Sequence, residues 1–150
     1  MAMRAASPGL GLATALVRLS HLVQRVFSDV SREHGLPPQQ LQLLCMLIDG
    51  PAGMSELCRL MNLERSGMTG LVDRVEKRRL IARASDPADR RACLVSLTGK
   101  GRRLAVAAHD DITTRLESMT EELDLGDRDC LVSVTTRLLA KHDPALVSDR

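Results

Sequence analysis

Apolar residues recur every three or four positions along most of this 150-residue chain, a spacing typical of amphipathic α-helices. The first such stretch covers residues 10–33, places Leu16, Leu19 and Val23 on one face, and ends at Gly35. Its apolar face is wide for a helix of this length. The pattern therefore predicts that this helix packs against more than its own chain.

Five further helices are predicted downstream, over residues 39–49, 56–61, 63–79, 98–122 and 127–141. Pro37 and Pro38 favour the first turn of the helix at residues 39–49, because the fixed φ of proline suits the start of a helix. Ser55 and Thr98 are predicted N-caps, since their hydroxyls can accept a hydrogen bond from the first helical turn. Residues 50–53 and 125–127 are predicted breaks.

Two short runs of β-type residues, 80–84 and 93–97, flank a polar turn that contains Pro87. They predict a β-hairpin directly after the helix at residues 63–79. Helices that meet at a tight turn and precede a basic hairpin have the order of a winged helix-turn-helix. The predicted fold class is therefore mainly α (α+β), a winged helix-turn-helix with additional helices at both ends.

The distribution of charge indicates a polyanionic partner. The net charge is only +2, but residues 56–103 carry +6 and the rest of the chain −4. A basic middle between acidic flanks is typical of a module that binds nucleic acid. With one Phe and no Trp or Tyr, the chain lacks the side chains for binding by stacked bases or an aromatic cage.

The helix at residues 63–79 has the features of a segment that enters the major groove, with polar side chains near its start and basic ones along its flanks. Taken alone, a helix of this kind is more often an ordinary surface helix whose charged face is solvated. The basic hairpin that follows it favours DNA binding instead. Asp89 is expected to brace an arginine of the hairpin turn, and arginines suit the narrow minor groove. The predicted DNA-binding residues are Arg65, Ser66, Gly67, Thr69 and Gly70 for base edges, Arg74, Lys77 and Arg78 for phosphates, and Asp89, Arg90 and Arg91 for the minor groove.

Four segments together resemble the multiple-antibiotic-resistance regulator (MarR) family: LVDRVE at 71–76, LIAR at 80–83, DPADRR at 86–91 and LTGKG at 97–101. The resemblance implies a homodimeric transcriptional regulator, a repressor acting on a pseudo-palindromic operator of double-stranded DNA. It implies a single domain over residues 1–150, with dimerisation helices at 10–34 and 98–141 and a DNA-binding lobe at 36–97. The family's paired wing residues, an Asp and an Arg two positions later, fall on Asp89 and Arg91.

One residue departs from the family pattern. Arg79 stands just past the predicted recognition helix, where the family usually has Gly. Glycine there adopts the left-handed conformation of a helix C-cap without steric cost. Arg79 must either adopt that conformation at a cost of about 1–2 kcal/mol or end the helix differently.

The resemblance also implies a small-molecule effector, because members of the family often bind small phenolic or aromatic anions between the dimerisation helices and the DNA-binding lobe. In this chain the expected ligand-binding residues are His21, Arg25, Leu44 and Leu47. The effector could then be a small anionic or apolar molecule.

Two other readings stay open. Cys58 and Cys93 lie in the basic region, so a cysteine redox-sensing regulator of the same fold is an alternative, although packing is the commoner role of such cysteines. The same lobe could also be a winged-helix protein-interaction module with an acidic partner.

Enzyme, metal and membrane roles have little support. The chain has no phosphate-binding glycine loop and no hydrolase or metalloprotease motif, so it is not expected to be an enzyme or to need a cofactor. Its histidines lack the spacing of a metal site. No stretch approaches the ~18 apolar residues of a membrane span. Arg4 and the apolar residues 8–17 loosely resemble an export signal, but two Gly and a Thr interrupt the run, which favours the cytoplasm.

Overall fold

A computed structural model describes residues 9–147, so part of the export-like segment, including Arg4, lies outside the described residues. The helices are α1 (Leu12–Glu33), α2 (Pro38–Met46), α3 (Met54–Met61), α4 (Arg65–Lys77), α5 (Gly99–Ser118) and α6 (Leu125–His142), followed by a 3₁₀ turn at Pro144–Leu146. The strands are β1 (Ala52–Gly53), β2 (Ile81–Ser85) and β3 (Cys93–Leu97). The predicted mainly helical, winged helix-turn-helix order is confirmed.

The sheet is small and antiparallel, with strand order β1-β3-β2. Ala52 pairs with Val95, so the segment predicted as a break between α2 and α3 contains a third strand. The pattern could not reveal it because two residues are too few to show alternation. Val95 in the central strand is fully buried and joins the sheet to the helical core.

Several helix boundaries differ from the prediction. Gly53 rather than Ser55 precedes the first turn of α3, so the predicted serine cap is wrong. Helix α5 ends at Ser118, before the expected residue 122. The predicted break at residues 125–127 is instead the first turn of α6, because the carboxylate of Asp124 accepts a hydrogen bond from the Asp127 N–H at 2.8 Å.

One hydrophobic core joins the helices of the middle of the chain. Leu41, Leu57, Met68 and Val72 are fully buried there, and Ala105 of α5 lets that helix approach closely. Helix α6, by contrast, contributes no buried residue. The core therefore forms the lobe around α2, α3, α4 and the sheet, and α6 lies outside it.

Helices α1, α3 and α4 all end with a residue in the left-handed backbone conformation. The next residue or next but one has a positive φ: Gly35 at 68°, Asn62 at 50° and Arg79 at 61°. After α4, the Arg79 N–H donates to Glu76 and the Leu80 N–H to Val75, which satisfies the last carbonyls of the helix. Arg79 thus takes the left-handed conformation, the first of the two predicted outcomes.

Helix α5 begins against this same turn. The Thr98 hydroxyl accepts a hydrogen bond from the Gly101 N–H at 3.0 Å and donates one to the Arg79 carbonyl at 2.8 Å, which confirms the predicted Thr98 cap. A Cβ at Gly101 would lie only 1.8 Å from the Leu80 carbonyl oxygen. The close contact of α5 with the α4–β2 turn therefore requires glycine.

An ion pair and a histidine–carboxylate hydrogen bond join the end of α1 to the far part of α5. Arg115 pairs with Glu33, and His34 bonds Asp111 at 2.7 Å. The hydrogen bond to Glu33 raises the pKa of the Arg115 guanidinium. Helix α5 therefore connects the α4–β2 turn at its beginning with the end of α1 farther along.

Candidate nucleic-acid interface

A cleft of about 560 Å³ separates the start of α4 from the wing, the name used here for the β2–β3 hairpin and its loop at residues 86–92. Arg65 lines it from α4, Arg91 from the wing, and Ser55 and Glu56 from the beginning of α3. The structure thus brings together two arginines that are 26 positions apart in the sequence.

Helix α4 presents its polar residues to solvent. Arg65, Ser66, Gly67 and Thr69 are exposed, whereas the apolar residues of the opposite face are buried in the core. The Thr69 hydroxyl donates to the Arg65 carbonyl at 2.8 Å. This local hydrogen bond fixes the side chain against its own helix.

Gly70 is partly covered by a neighbouring arginine. A Cβ at this position would lie 3.3 Å from the guanidinium of Arg74, one turn farther along α4. Arg74 and Lys77 are both exposed, and neither forms an ion pair with another residue of the described range 9–147. Their positive charges are therefore available at the lobe surface.

The wing loop is shaped by its two aspartates. Asp89 accepts a hydrogen bond from the backbone N–H of Arg91 at 3.0 Å, and Asp86 accepts one from Ala88 at 2.9 Å. The expectation that Asp89 braces an arginine side chain is wrong for this structure, since its hydrogen bond goes to the backbone. Aspartate two residues before an N–H commonly closes a turn in this way. Arg90 and Arg91 are exposed.

An ionic cluster that the sequence analysis missed joins the wing to α4. The guanidinium of Arg83 on β2 donates hydrogen bonds to the carboxylates of Asp73 and Glu76, the latter at 2.7 Å. The Glu76 carboxylate also accepts a hydrogen bond from the Arg83 backbone N–H at 3.3 Å. The hydrogen bond to Asp73 raises the pKa of Arg83. Two acids three positions apart on one helix face were the available signal, but only the fold brings Arg83 beside them.

Arg78, unlike Arg74 and Lys77, has its side chain hydrogen-bonded within the described chain. Its guanidinium donates to the Gln40 side-chain oxygen at 3.2 Å and to the Gly35 carbonyl at 2.9 Å. Gln40 is itself buried. The side chain therefore joins the end of α4 to the α1–α2 connection.

The residues predicted to bind an effector do not converge on a cavity. Leu44 and Leu47 are fully buried core residues and line none of the three described cavities, and their ligand-binding role stays a prediction. His21 and Arg25 are exposed on α1. A groove of about 420 Å³ instead lies between α1 and α2, lined by Val23, Gln24, Phe27, Ser28, Pro38, Gln39 and Gln42.

The four cysteines are all free. Burial raises the pKa of the Cys45 thiol to about 11, which makes it a poor nucleophile at neutral pH. Cys58 and Cys93 are partly buried against the core, and Cys130 is exposed on α6. Between residues 9 and 147, no three His, Cys, Asp or Glu side chains are grouped so that they could hold a metal ion.

Two helices carry apolar side chains that stay partly exposed to solvent in the described residues 9–147. On α1 these include Leu16 and Leu19, and on α6 they include Leu131, Val134 and Leu138. Exposed apolar surface of this extent marks an interaction site. No helix of the described range is both long and apolar enough to cross a membrane.

A family model described as "MarR family" matches residues 34–92, from the end of α1 through the wing loop. Among curated proteins, the HTH-type transcriptional repressor NicR of Pseudomonas putida is 25% identical over 85% of this chain and 86% of its own length. This chain is thus similar to a repressor over nearly all of both sequences.

Solved structures agree with this match. The transcriptional repressor CouR, bound to a 23-mer DNA duplex, is 29% identical, with a TM-score of 0.73 and coverage of 85% of this chain and 92% of that one. BpsR of Bordetella bronchiseptica, whose DNA binding is regulated by 6-hydroxynicotinic acid, shares the fold at 24% identity, with a TM-score of 0.71 and coverage of 89% and 96%. Over residues 34–92 the chain is therefore similar to the MarR family of transcriptional regulators, and its fold is shared with these solved regulators.

Proposed function

We propose that this protein is a transcriptional repressor that binds a pseudo-palindromic DNA operator as a homodimer. Its similarity to NicR and to DNA-bound CouR supports a DNA-binding repressor. The observation that carries the proposal is the cleft between α4 and the wing, because an arginine of each element, Arg65 and Arg91, lines it beside the carboxylates of Glu56, Asp86 and Asp89. Cationic side chains on two separate elements can contact adjacent grooves of one duplex.

Helix α4 is the element proposed to read the sequence. Its exposed first turns, with Arg65, Ser66, Gly67, Thr69 and Gly70, would face base edges in the major groove. Arg74 and Lys77 would contact phosphates, since they are exposed and form no ion pair within the described chain. Arg90 and Arg91 would enter the minor groove, with Asp89 holding the loop that carries them. Two such lobes related by a two-fold axis would meet half-sites about 10 bp apart.

The dimer interface is proposed at the uncovered apolar faces of α1 and α6. Burying these leucines and valines against a second copy would stabilise the dimer by about 25 cal/mol per Å² of apolar surface. The end of α1 is already fixed to α5 through Glu33 and Arg115. Helices α1 and α5 can therefore act together as a support for the lobe in each subunit.

Arg91→Ala tests the wing. We expect it to weaken operator binding by about 1–3 kcal/mol and to lower the slope of log K against log salt by about one unit, because one phosphate-proximal charge is lost. The measurement is fluorescence anisotropy at several salt concentrations, on a duplex selected from a random pool by the wild-type protein. Arg32→Ala is the matched control, since it removes an exposed arginine of α1 that pairs with Asp29.

Unchanged affinity and slope for Arg91→Ala would contradict the wing assignment. A wild-type protein that selects no duplex, even at low ionic strength, would instead favour the winged-helix protein-interaction module. The wild-type and variant titrations therefore test separate parts of the proposal.

The groove between α1 and α2 is proposed as the effector site. Phe27, Val23 and Pro38 give it apolar walls, and the amides of Gln24, Gln39 and Gln42 supply hydrogen-bonding groups. A small aromatic acid fits this combination, in keeping with the regulation of BpsR by 6-hydroxynicotinic acid.

We expect 6-hydroxynicotinic acid at millimolar concentration to weaken the operator complex of the wild-type protein, and Ser28→Trp to abolish this response by filling the groove. The readout is anisotropy of the preformed complex during ligand titration. His21→Ala should respond as the wild type does, because the His21 side chain does not line the groove. An equal response from Ser28→Trp would place the effector elsewhere.

A further inference from the structure

The hydrogen bonds of Arg78 give this residue a role different from the phosphate contact that its basic character predicts. Its guanidinium donates to the Gln40 side chain at 3.2 Å and to the Gly35 carbonyl at 2.9 Å. Gly35 belongs to the segment that connects α1 to α2, and Gln40 lies in the first turn of α2. We infer that Arg78 is a positioning residue that sets the direction of α4 relative to α1, and thereby the spacing between the two DNA-reading helices of the proposed dimer.

The two acceptors are well fixed. Gln40 is only 7% exposed, so its side-chain oxygen has little access to water as an alternative partner. Gly35 terminates α1 in the left-handed conformation, and its N–H donates to the Arg32 carbonyl, so its backbone is held at the helix end. A planar guanidinium can satisfy both oxygens at once, whereas a lysine ammonium is a single point charge.

The other side of this connection leads to the proposed dimer interface. Glu33 and His34, which immediately precede Gly35, pair with Arg115 and Asp111 of α5. The end of α1 is therefore held on α5, and Arg78 holds the end of α4 on the same junction. These contacts fix the orientation of α4 relative to α1, one of the helices that would meet the second subunit.

A small change at this junction would have a large effect at the DNA. Helix α4 has 13 residues, which gives it a length of about 20 Å at the usual rise per residue. A tilt of about 10° at Arg78 would displace the other end, at Arg65, by about 3 Å, close to the ~3.4 Å spacing of successive base pairs along a strand. The Arg78 contacts would therefore select which half-site spacing the dimer accepts.

Arg78→Lys is the decisive variant, because it keeps the charge and removes the double hydrogen bond. On the duplex selected by the wild type, we expect Arg78→Lys to bind about tenfold more weakly with an unchanged salt slope. Gln40→Ala should give a similar loss although Gln40 is buried, and the double variant Arg78→Lys/Gln40→Ala should lose no more than either single change. Duplexes with one base pair added or removed between half-sites should be discriminated about tenfold less by these variants than by the wild type.

Three controls accompany these titrations. Arg32→Ala removes a charge near the same junction without reaching α4, and should bind as the wild type does. Arg91→Ala provides the reference for a lost DNA contact, with a salt slope lower by about one unit. Thermal unfolding and the oligomeric state of each variant identify any loss that comes from misfolding, and Arg78→Lys keeps the test usable if Gln40→Ala does not fold.

The inference rests on the proposed function, and the two fail in different ways. If the wild type binds no duplex, the proposed function is overturned and this inference with it. If the wild type binds and Arg78→Lys binds equally well with the same spacing preference, only the positioning role is overturned. A full loss confined to Arg78→Ala, with a lower salt slope and normal binding by Gln40→Ala, would make Arg78 a phosphate contact.

Discussion

Gly101→Ala is expected to destabilise the protein by about 3 kcal/mol or more, at the upper end of what overpacking normally costs. The new Cβ would lie 1.8 Å from the Leu80 carbonyl oxygen and 2.7 Å from its carbon. These are backbone atoms of the buried residue Leu80 and have no alternative rotamer. Either α5 moves away from the lobe or the turn after α4 is deformed. Thermal and urea unfolding of the purified variant measure the effect.

Gly99→Ala is the matched control, because it makes the same chemical change two residues earlier in the same helix. The nearest atom to a Cβ at Gly99 belongs to the flexible side chain of Arg103, 3.7 Å away. Alanine at this exposed position should be neutral or stabilise the protein by up to about 1 kcal/mol, since alanine favours helix. Equal stability of the Gly101 and Gly99 variants would contradict the close packing of α5 on Leu80.

The winged helix could be predicted from the sequence because its elements carry local signals. Apolar spacing placed α1 and α4 to within about two residues, and the Thr98 cap and the hairpin around Pro87 follow from the preferences of single residues. The exposed polar face of α4 is a direct consequence of helical periodicity. Local sequence preferences are therefore enough to predict the helices and strands and to predict which face of each is exposed to solvent.

The contacts between elements could not be predicted in this way. Nothing near Arg78 in the sequence indicates that Gly35 and Gln40 will accept its hydrogen bonds, or that Arg83 will lie beside Asp73. The burial of Leu44 is a further example, because an apolar residue of a core and one of a pocket look alike in a sequence. Only the packing of the helices distinguishes these roles.

The exposed apolar residues of α6 give the last prediction, which concerns assembly. Leu138→Glu is expected to weaken the proposed dimer strongly, because each interface would then bury an unpaired carboxylate from both subunits. Operator affinity should fall about 100-fold or more, since joining two binding modules raises affinity by about 10²–10⁴ over one. Light scattering after size exclusion measures the dimer, and anisotropy on the selected duplex measures DNA binding.

Thr136→Glu is the control, because its position on the helical wheel is nearly opposite to the stripe of Leu131, Val134 and Leu138, and it is exposed. It introduces the same charge in the same helix and should leave both dimerisation and binding close to wild type. Leu138 is 44% exposed in the single chain, and its environment there contains no core that a charge would disrupt. A defect confined to Leu138→Glu with normal folding would therefore come from the partner subunit. A Leu138→Glu protein that remains dimeric would instead show that α6 lies outside the interface, and the dimer would then have to be rebuilt on α1 alone.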